Sequence, residues 1–136
     1  MPENSPRALF AARLAQARQL RGLSQRALGD RMGLGKDKGS SRINRYEHQV
    51  TAIGFDNLGN LAQLLDVPAS YLLASDAPMA DAILALSKAD EGQRDALAKF
   101  ISALLEDPRS FAVVDVLLEM SEQERANVLD LVKGKS

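Results

Sequence analysis

The chain of 136 residues contains no cysteine and a single histidine, His48. The absence of cysteine excludes disulfides and thiolate metal ligands, and it is typical of a protein from a reducing compartment. One histidine leaves a zinc site short of its usual ligands. We therefore expect a cytoplasmic protein that carries neither a metal nor another cofactor.

Long apolar runs are also absent. No run approaches the roughly 18–20 residues that span a bilayer, and the opening stretch "MPENSPRALF" lacks the basic start and apolar core of a secretory signal. The chain is 46% apolar and 26% charged, which is typical of a globular protein without a membrane association. Its length suits one ordinary domain, or a small domain with an oligomerising tail.

The formal net charge of −1 conceals a division along the chain. Residues 1–75 contain ten Lys/Arg and six Asp/Glu, whereas residues 76–136 contain seven and twelve. The excess of basic residues is greatest in residues 7–49, which contain ten Lys/Arg and three Asp/Glu. This distribution favours a polyanionic partner for the first half, although a solvated charged surface would look the same.

Apolar residues recur at helical spacing through the first half, with glycines and capping residues between the apolar stretches. Gly22 is placed to end the first helix, Ser24 to cap the second, and Ser40 or Ser41 to cap the third. The segment "GKDKG" between them reads as a loop. The predicted helices cover 7–21, 24–32, 40–48, 55–67 and 68–74. The apolar face of the fourth consists of Phe55, Leu58, Leu61, Ala62 and Leu65.

A very short second helix followed by a tight turn is typical of a helix-turn-helix. That motif needs a small residue where its two helices cross, a glycine in the turn and an apolar residue on each arm. Gly29, Gly33, Leu34 and Ile43 fill these places.

The motifs "GLSQRALGDRMGL", "RINRYE" and "NLAQLLDVPASYLL" resemble, in this order, the Cro/CI-type (XRE) helix-turn-helix family. The resemblance covers about residues 9–74. It implies an all-α protein in which a five-helix, lambda-repressor-like DNA-binding domain occupies residues 7–75. It also implies a bacterial or phage origin, and a third helix that lies in the major groove of double-stranded DNA.

Two positions depart from the family pattern. Gly33 and Ile43 are ten residues apart where the family has about six, and the extra residues lie in "GKDKGS". Lys36 and Lys38 of this longer turn could reach phosphates, or the turn could be a flexible tip without contacts. Gly29 stands where the family commonly has alanine, and we expect either residue to be small enough for the crossing.

With Ile43 buried, Tyr46 and Glu47 lie on the same side of the third helix and the polar residues face outward. Arginine pairs with guanine and asparagine with adenine. The predicted base contacts are Ser40, Ser41 and Arg45, together with Arg42 and Asn44, which could instead contact flanking phosphates. The predicted phosphate contacts are Ser24, Gln25, Lys36, Lys38 and His48, although His48 could equally be only a helix-end residue. The alternative is an ordinary polar surface helix.

Glu47 is an acidic residue among basic ones, so it should be paired. The family resemblance implies a salt bridge to Arg18 that fixes the third helix to the first. A free surface glutamate is the alternative.

Residues 76–136 are interpreted as a helical region for dimerisation or higher oligomerisation. Two stretches, 86–101 and 117–132, align with each other, and each contains a capping box, Asp90-x-x-Gln93 and Ser121-x-x-Glu124. The β-branched segment 107–120 is predicted helical from its apolar spacing, with a strand as the alternative. Sixty residues form a marginal core alone, so a second copy is the simplest cover for these apolar faces.

Three classes of function remain to compare. The favoured one is a transcriptional repressor of phage or mobile-element type that binds a palindromic operator. An antitoxin-like regulator, whose C-terminal helices hold another protein, is the alternative. An enzyme is disfavoured, because "GLGKDKGS" does not match a phosphate-binding loop and no catalytic set is evident. A self-cleaving peptidase domain would not fit the short helical tail, so release from DNA would need an antirepressor protein, a ligand or dilution.

Overall fold

The computed structural model describes residues 3–134, and all regular structure in this range is helical, which confirms the predicted all-α fold. The last two residues of the predicted oligomerisation region, 135 and 136, lie outside it, as do residues 1 and 2. The helices are α1 Pro6–Leu20, α2 Gln25–Arg31, α3 Lys38–Glu47, α4 Phe55–Leu65, α5 Ala77–Ser87, α6 Glu91–Glu106, α7 Phe111–Glu119 and α8 Glu122–Lys133. Two 3₁₀ segments, Ala69–Leu73 and Pro108–Ser110, lie between them.

The chain divides into two compact units, residues 1–89 and 90–136. The predicted boundary at residue 75 is therefore displaced by one helix. Ala80 of α5 is fully buried, and Ile83 and Leu84 pack against the same core. This packing makes α5 part of the first unit. No helix within residues 3–134 has the length and apolarity to cross a membrane.

The core of the first unit draws on every one of its helices. Burying one such apolar side chain stabilises the fold by about 1.5–3 kcal/mol. The rings of Phe10 and Tyr46 meet edge to face, with centroids 5.7 Å apart, and so join α1 to α3. The largest fully buried side chains are Phe10, Leu14, Leu28, Ile43, Leu61, Leu65, Tyr71 and Leu72.

The two predicted helix ends before α2 are confirmed. Gly22 adopts a left-handed conformation (φ 64°), and the amide of Leu23 donates to the carbonyl of Arg18 at 3.0 Å, which closes α1 with a Schellman motif. Ser24 Oγ accepts from the amide of Ala27 at 2.9 Å and caps α2. These two caps define the short loop between α1 and α2.

The start of α3 was predicted wrongly. Neither Ser40 nor Ser41 caps this helix, because it already begins at Lys38, after a left-handed Asp37 (φ 65°). Lys38 and Gly39 are thus helical, not part of a loop. These two additional helical residues are possible because Gly39 lies directly against Gly29 of α2, where neither residue has a side chain to separate the backbones.

Two features of the segment after α3 also differ from the prediction. Phe55 was expected on the buried face of α4, yet it is 87% exposed, since it lies at the first position of the helix and projects away from the core. The predicted fifth helix is a short 3₁₀ segment, with Tyr71 and Leu72 buried. Pro68 precedes it in an extended conformation.

The second unit consists of α6, α7 and α8. Both predicted capping boxes are present, at Asp90/Gln93 and at Ser121/Glu124, and the β-branched segment is helical as α7. None of the described residues in this unit is buried. Its large apolar side chains that are exposed are Leu97, Phe100, Ile101, Leu105, Phe111, Val113, Val116, Leu117, Leu118, Val128, Leu129, Leu131 and Val132.

Candidate nucleic-acid interface

Helix α3 has one buried face and one polar face. Ile43 and Tyr46 are buried, as the spacing predicts. The opposite face consists of polar side chains whose outward direction follows from the 3.6-residue period. The predicted base-contacting residues on it are Ser41, Arg42, Asn44 and Arg45, all exposed, and Ser40, which is half-buried and donates its hydroxyl to the carbonyl of Asp37 at 3.2 Å.

An open cleft of about 710 Å³ runs along one side of this polar face. It lies between α3 and the segment that leads into α4. Four cations and a single carboxylate line it, so the cleft is positively charged and favours phosphate groups. Its lining residues are Lys36, Asp37, Lys38, Ser41, Arg42, Arg45, Tyr46, Thr51, Ala52 and Asn57.

A second open cleft lies on the other side of α3, where α2 begins. Ser41 belongs to both clefts, so it occupies the crest of the exposed face. Arg26 forms a salt bridge to Asp37 here at 3.6 Å, which ties the start of α3 to α2. The residues that line this cleft are Arg18, Ser24, Gln25, Arg26, Asp37, Ser40, Ser41 and Asn44.

The end of α3 is held to α1 and α2 by a network of side chains. Arg18 Nε donates to Glu47 Oε1 at 2.7 Å, and Arg18 Nη2 donates to Glu47 Oε2 at 3.3 Å. Gln25 Nε2 also donates to Glu47 Oε2. The bridge implied by the family resemblance is thus present, with side chains 17% and 8% exposed. The positive charge of Arg18 balances that of Glu47, so the pair adds no net negative charge to this side of α3.

The same network orients two predicted DNA contacts. Asn44 Nδ2 donates to Gln25 Oε1 at 3.2 Å. Each amide group has two N–H donors and one oxygen acceptor. One N–H of Gln25 is therefore not used by this network, and neither are the oxygen and one N–H of Asn44. The two residues act as a coupled pair, which their spacing in the sequence does not reveal.

The remaining predicted phosphate contacts are distributed around α3. Ser24 uses its hydroxyl to cap α2, which leaves its backbone amide for a phosphate. His48 is the exposed C-cap of α3, and its Nδ1 lies 2.8 Å from the carbonyl of Asn44. Lys36 and Lys38 are exposed in the first cleft.

Three polar residues that line the clefts were not among the predicted contacts, namely Arg26, Thr51 and Asn57. Arg26 faces the second cleft from the first turn of α2, and Thr51 and Asn57 line the first cleft from the far side. Asn57 could have been identified from the sequence as a polar residue in the first turn of α4, the helix that follows α3.

The arrangement suits the recognition of a duplex. The major groove of B-DNA is wide enough to admit an α-helix, and side chains on the exposed face can reach base edges there. The cations of the first cleft would lie beside the phosphates that flank the groove. Within residues 3–134 there is no group of three His, Cys, Asp or Glu side chains that could hold a metal ion.

Comparison with known proteins supplies independent findings. A family model described as helix-turn-helix matches residues 14–72. The crystal structure of the transcriptional regulator BswR superposes with a TM-score of 0.62, at 32% sequence identity, over 71% of this chain and 95% of that one. No curated protein matches.

Proposed function

The chain belongs to the Cro/CI-type (XRE) helix-turn-helix family of DNA-binding transcriptional regulators, and we propose that it is a repressor that binds a palindromic operator as a dimer or higher oligomer. The observation that carries this proposal is the exposed polar face of α3, held on a fixed scaffold by the Arg18–Glu47 bridge.

Base recognition is assigned to this face. Arg45 and Arg42 can each form two hydrogen bonds to a guanine, Asn44 can bond an adenine, and Ser41 and Ser40 can bond either bases or phosphates. Arg45 is exposed in the first cleft, and no salt bridge within the described residues competes for its guanidinium.

Backbone contacts are assigned to the rim of the face. Gln25 and Ser24 at the start of α2, His48 at the end of α3, and Lys36 and Lys38 in the first cleft would hold phosphates. Each lysine–phosphate contact should add about one unit to the slope of log affinity against log salt concentration.

Dimerisation is assigned to the second unit. Monomeric proteins rarely expose a continuous apolar surface of more than a few hundred Å². A unit of fewer than fifty residues in which no described residue is buried lacks a core of its own. Packing α6–α8 against those of a second copy would bury these side chains, and the two-fold symmetry of the dimer would match a palindrome.

Selection of bound duplexes from a random pool, followed by sequencing, tests the proposal. We expect a palindromic consensus with half-sites about one helical turn, or a multiple of it, apart. Replacement of Arg45 by alanine should weaken binding by about 1–3 kcal/mol and relax preference at one position per half-site.

Arg109→Ala is the matched control for Arg45. It removes the same charge from an exposed arginine of the second unit, and it should leave sequence preference unchanged. No enrichment of any sequence, or an unchanged preference in Arg45→Ala, would contradict the assignment.

A further inference from the structure

The first unit has an apolar pocket of about 360 Å³ to which the proposed DNA contacts assign no role. It opens between the start of α1, the segment before α4 and the 3₁₀ segment. Phe10 forms part of its apolar lining, and Arg7 is its one charged residue. The residues that line it are Pro6, Arg7, Phe10, Ala52, Ile53, Phe55, Leu58 and Leu73.

Phe55 lines this pocket, and its ring also projects from the surface. Phe55 is 87% exposed, more than any other large apolar side chain in residues 3–89. A phenyl ring buries 150–250 Å² when it is covered, so its exposure is unfavourable unless a partner takes it up. A ring and a recess thus lie side by side on one surface.

We propose that a second copy of this chain covers the surface, with Phe55 of each copy entering the pocket of the other. This inference rests on the proposed function. A two-fold interface brings identical patches together, so it requires a projection and a matching recess in the same patch. Charge favours the same partner: Asp56 follows Phe55, Arg7 borders the pocket, and neither forms a salt bridge within the described residues.

The position of the pocket links it to the DNA-binding face. Ala52 lines both the pocket and the first cleft beside α3. Two copies that meet at this surface would therefore hold their α3 helices next to a common axis. That arrangement places two recognition helices on one palindrome.

The size of the patch makes the contact conditional. A standard stable interface buries about 800 Å² on each partner, which a single phenyl ring and the rim of a small pocket cannot supply. The contact should therefore be too weak to join two separate copies by itself, and adjacent half-sites should position the two copies of a dimer so that it forms. It would then appear as cooperativity between half-sites.

The test compares full-length protein on two probes, the duplex recovered by selection and a duplex that contains one half-site. Phe55→Ser should bind the half-site as the wild type does. Its full-site to half-site affinity ratio should fall about tenfold or more, because aromatic side chains at the centre of an interface are often among its strongest contacts and two are lost in the dimer.

Leu20→Ser is the matched control, since Leu20 is also an exposed apolar residue but lies outside the pocket. Its ratio should not change. An unchanged ratio in a folded Phe55→Ser protein would overturn the inference. Absence of wild-type binding to any duplex would instead contradict the proposed function, so the two failures are distinguishable.

A second measurement does not depend on affinity. Because the chain has no cysteine, a single Leu73→Cys substitution gives one thiol at the edge of the pocket. A short bismaleimide should link two such copies on the full-site duplex much faster than on the half-site duplex. Leu20→Cys should show no such difference. Equal linking of Leu73→Cys on both probes would overturn the inference.

Discussion

Replacement of Gly29 by alanine tests how closely α2 and α3 pack. A Cβ at this position would lie 2.2 Å from the amide nitrogen of Ser40 and 2.4 Å from the carbonyl carbon of Gly39. Both neighbours are backbone atoms, so no side chain can rotate away. The expectation that alanine is small enough for this crossing was therefore wrong.

The magnitude follows from two opposing terms. To restore an ordinary contact of 3.4 Å, the start of α3 must withdraw by about 1.2 Å, while the Arg18–Glu47 bridge holds its other end. Overpacking of this kind costs about 1–3 kcal/mol, and a backbone clash belongs near the upper limit. The higher helix propensity of alanine returns about 1 kcal/mol. We expect a net loss of about 1–2 kcal/mol in the free energy of unfolding.

Thermal unfolding followed by circular dichroism measures this loss. One kcal/mol corresponds to about 4–8 °C in a domain of this size, so Tm should fall by about 5–15 °C. Gly59→Ala is the matched control, because Gly59 lies within α4 and a Cβ added there would have no neighbouring atom within 4 Å. It should raise Tm by a few degrees. If Gly29→Ala also raised Tm, the close crossing would be refuted.

Three further predictions concern the network, the second unit and the core. Arg18→Ala leaves the carboxylate of Glu47, whose side chain is 8% exposed, without its cation. It should lower the free energy of unfolding, measured by urea titration, by about 1–3 kcal/mol. An unchanged midpoint would contradict this. Leu118→Asp should shift the sedimenting species toward monomer, whereas Leu20→Asp on the first unit should not; a dimer that persists in Leu118→Asp would remove α7 from the interface. Burial raises the pKa of Tyr71 above its ordinary value of 10.0. The unfolded chain then loses this proton more readily, so stability should decrease as pH rises above about 10, and less so in Tyr71→Phe.

The parts of the fold that sequence reasoning predicted depend on short-range chemistry. The Ser24 cap, the left-handed Gly22 and both capping boxes involve residues within a few positions of each other. The burial of Ile43 and Tyr46 follows from helical period alone. Local signals of this kind do not depend on how distant parts of the chain pack.

The errors arise where distant segments meet. The start of α3 depends on the contact between Gly39 and Gly29, which are ten residues apart, and a glycine-rich segment looks like a loop when that contact is unknown. The coupling of Gln25 to Asn44 is likewise tertiary. Which of the polar residues of α3 contact bases stays a prediction, because the answer depends on the DNA.

The apolar residues of the second unit show that sequence patterns also fail to predict contacts between molecules. Helical spacing predicts that α6, α7 and α8 each have an apolar face, and the structure leaves these faces uncovered by the unit's own residues. A hydrophobic pattern indicates which apolar surface is to be removed from water. The hydrophobic effect is non-directional, however, so the pattern does not specify the partner that covers this surface. The same reasoning applies to Phe55, because its place on the apolar face of α4 predicted burial, whereas the structure leaves it 87% exposed. Apolar residues that the helical pattern predicts to be buried, but that are exposed in the structure, are thus the residues to substitute when the association of this chain with other molecules is tested.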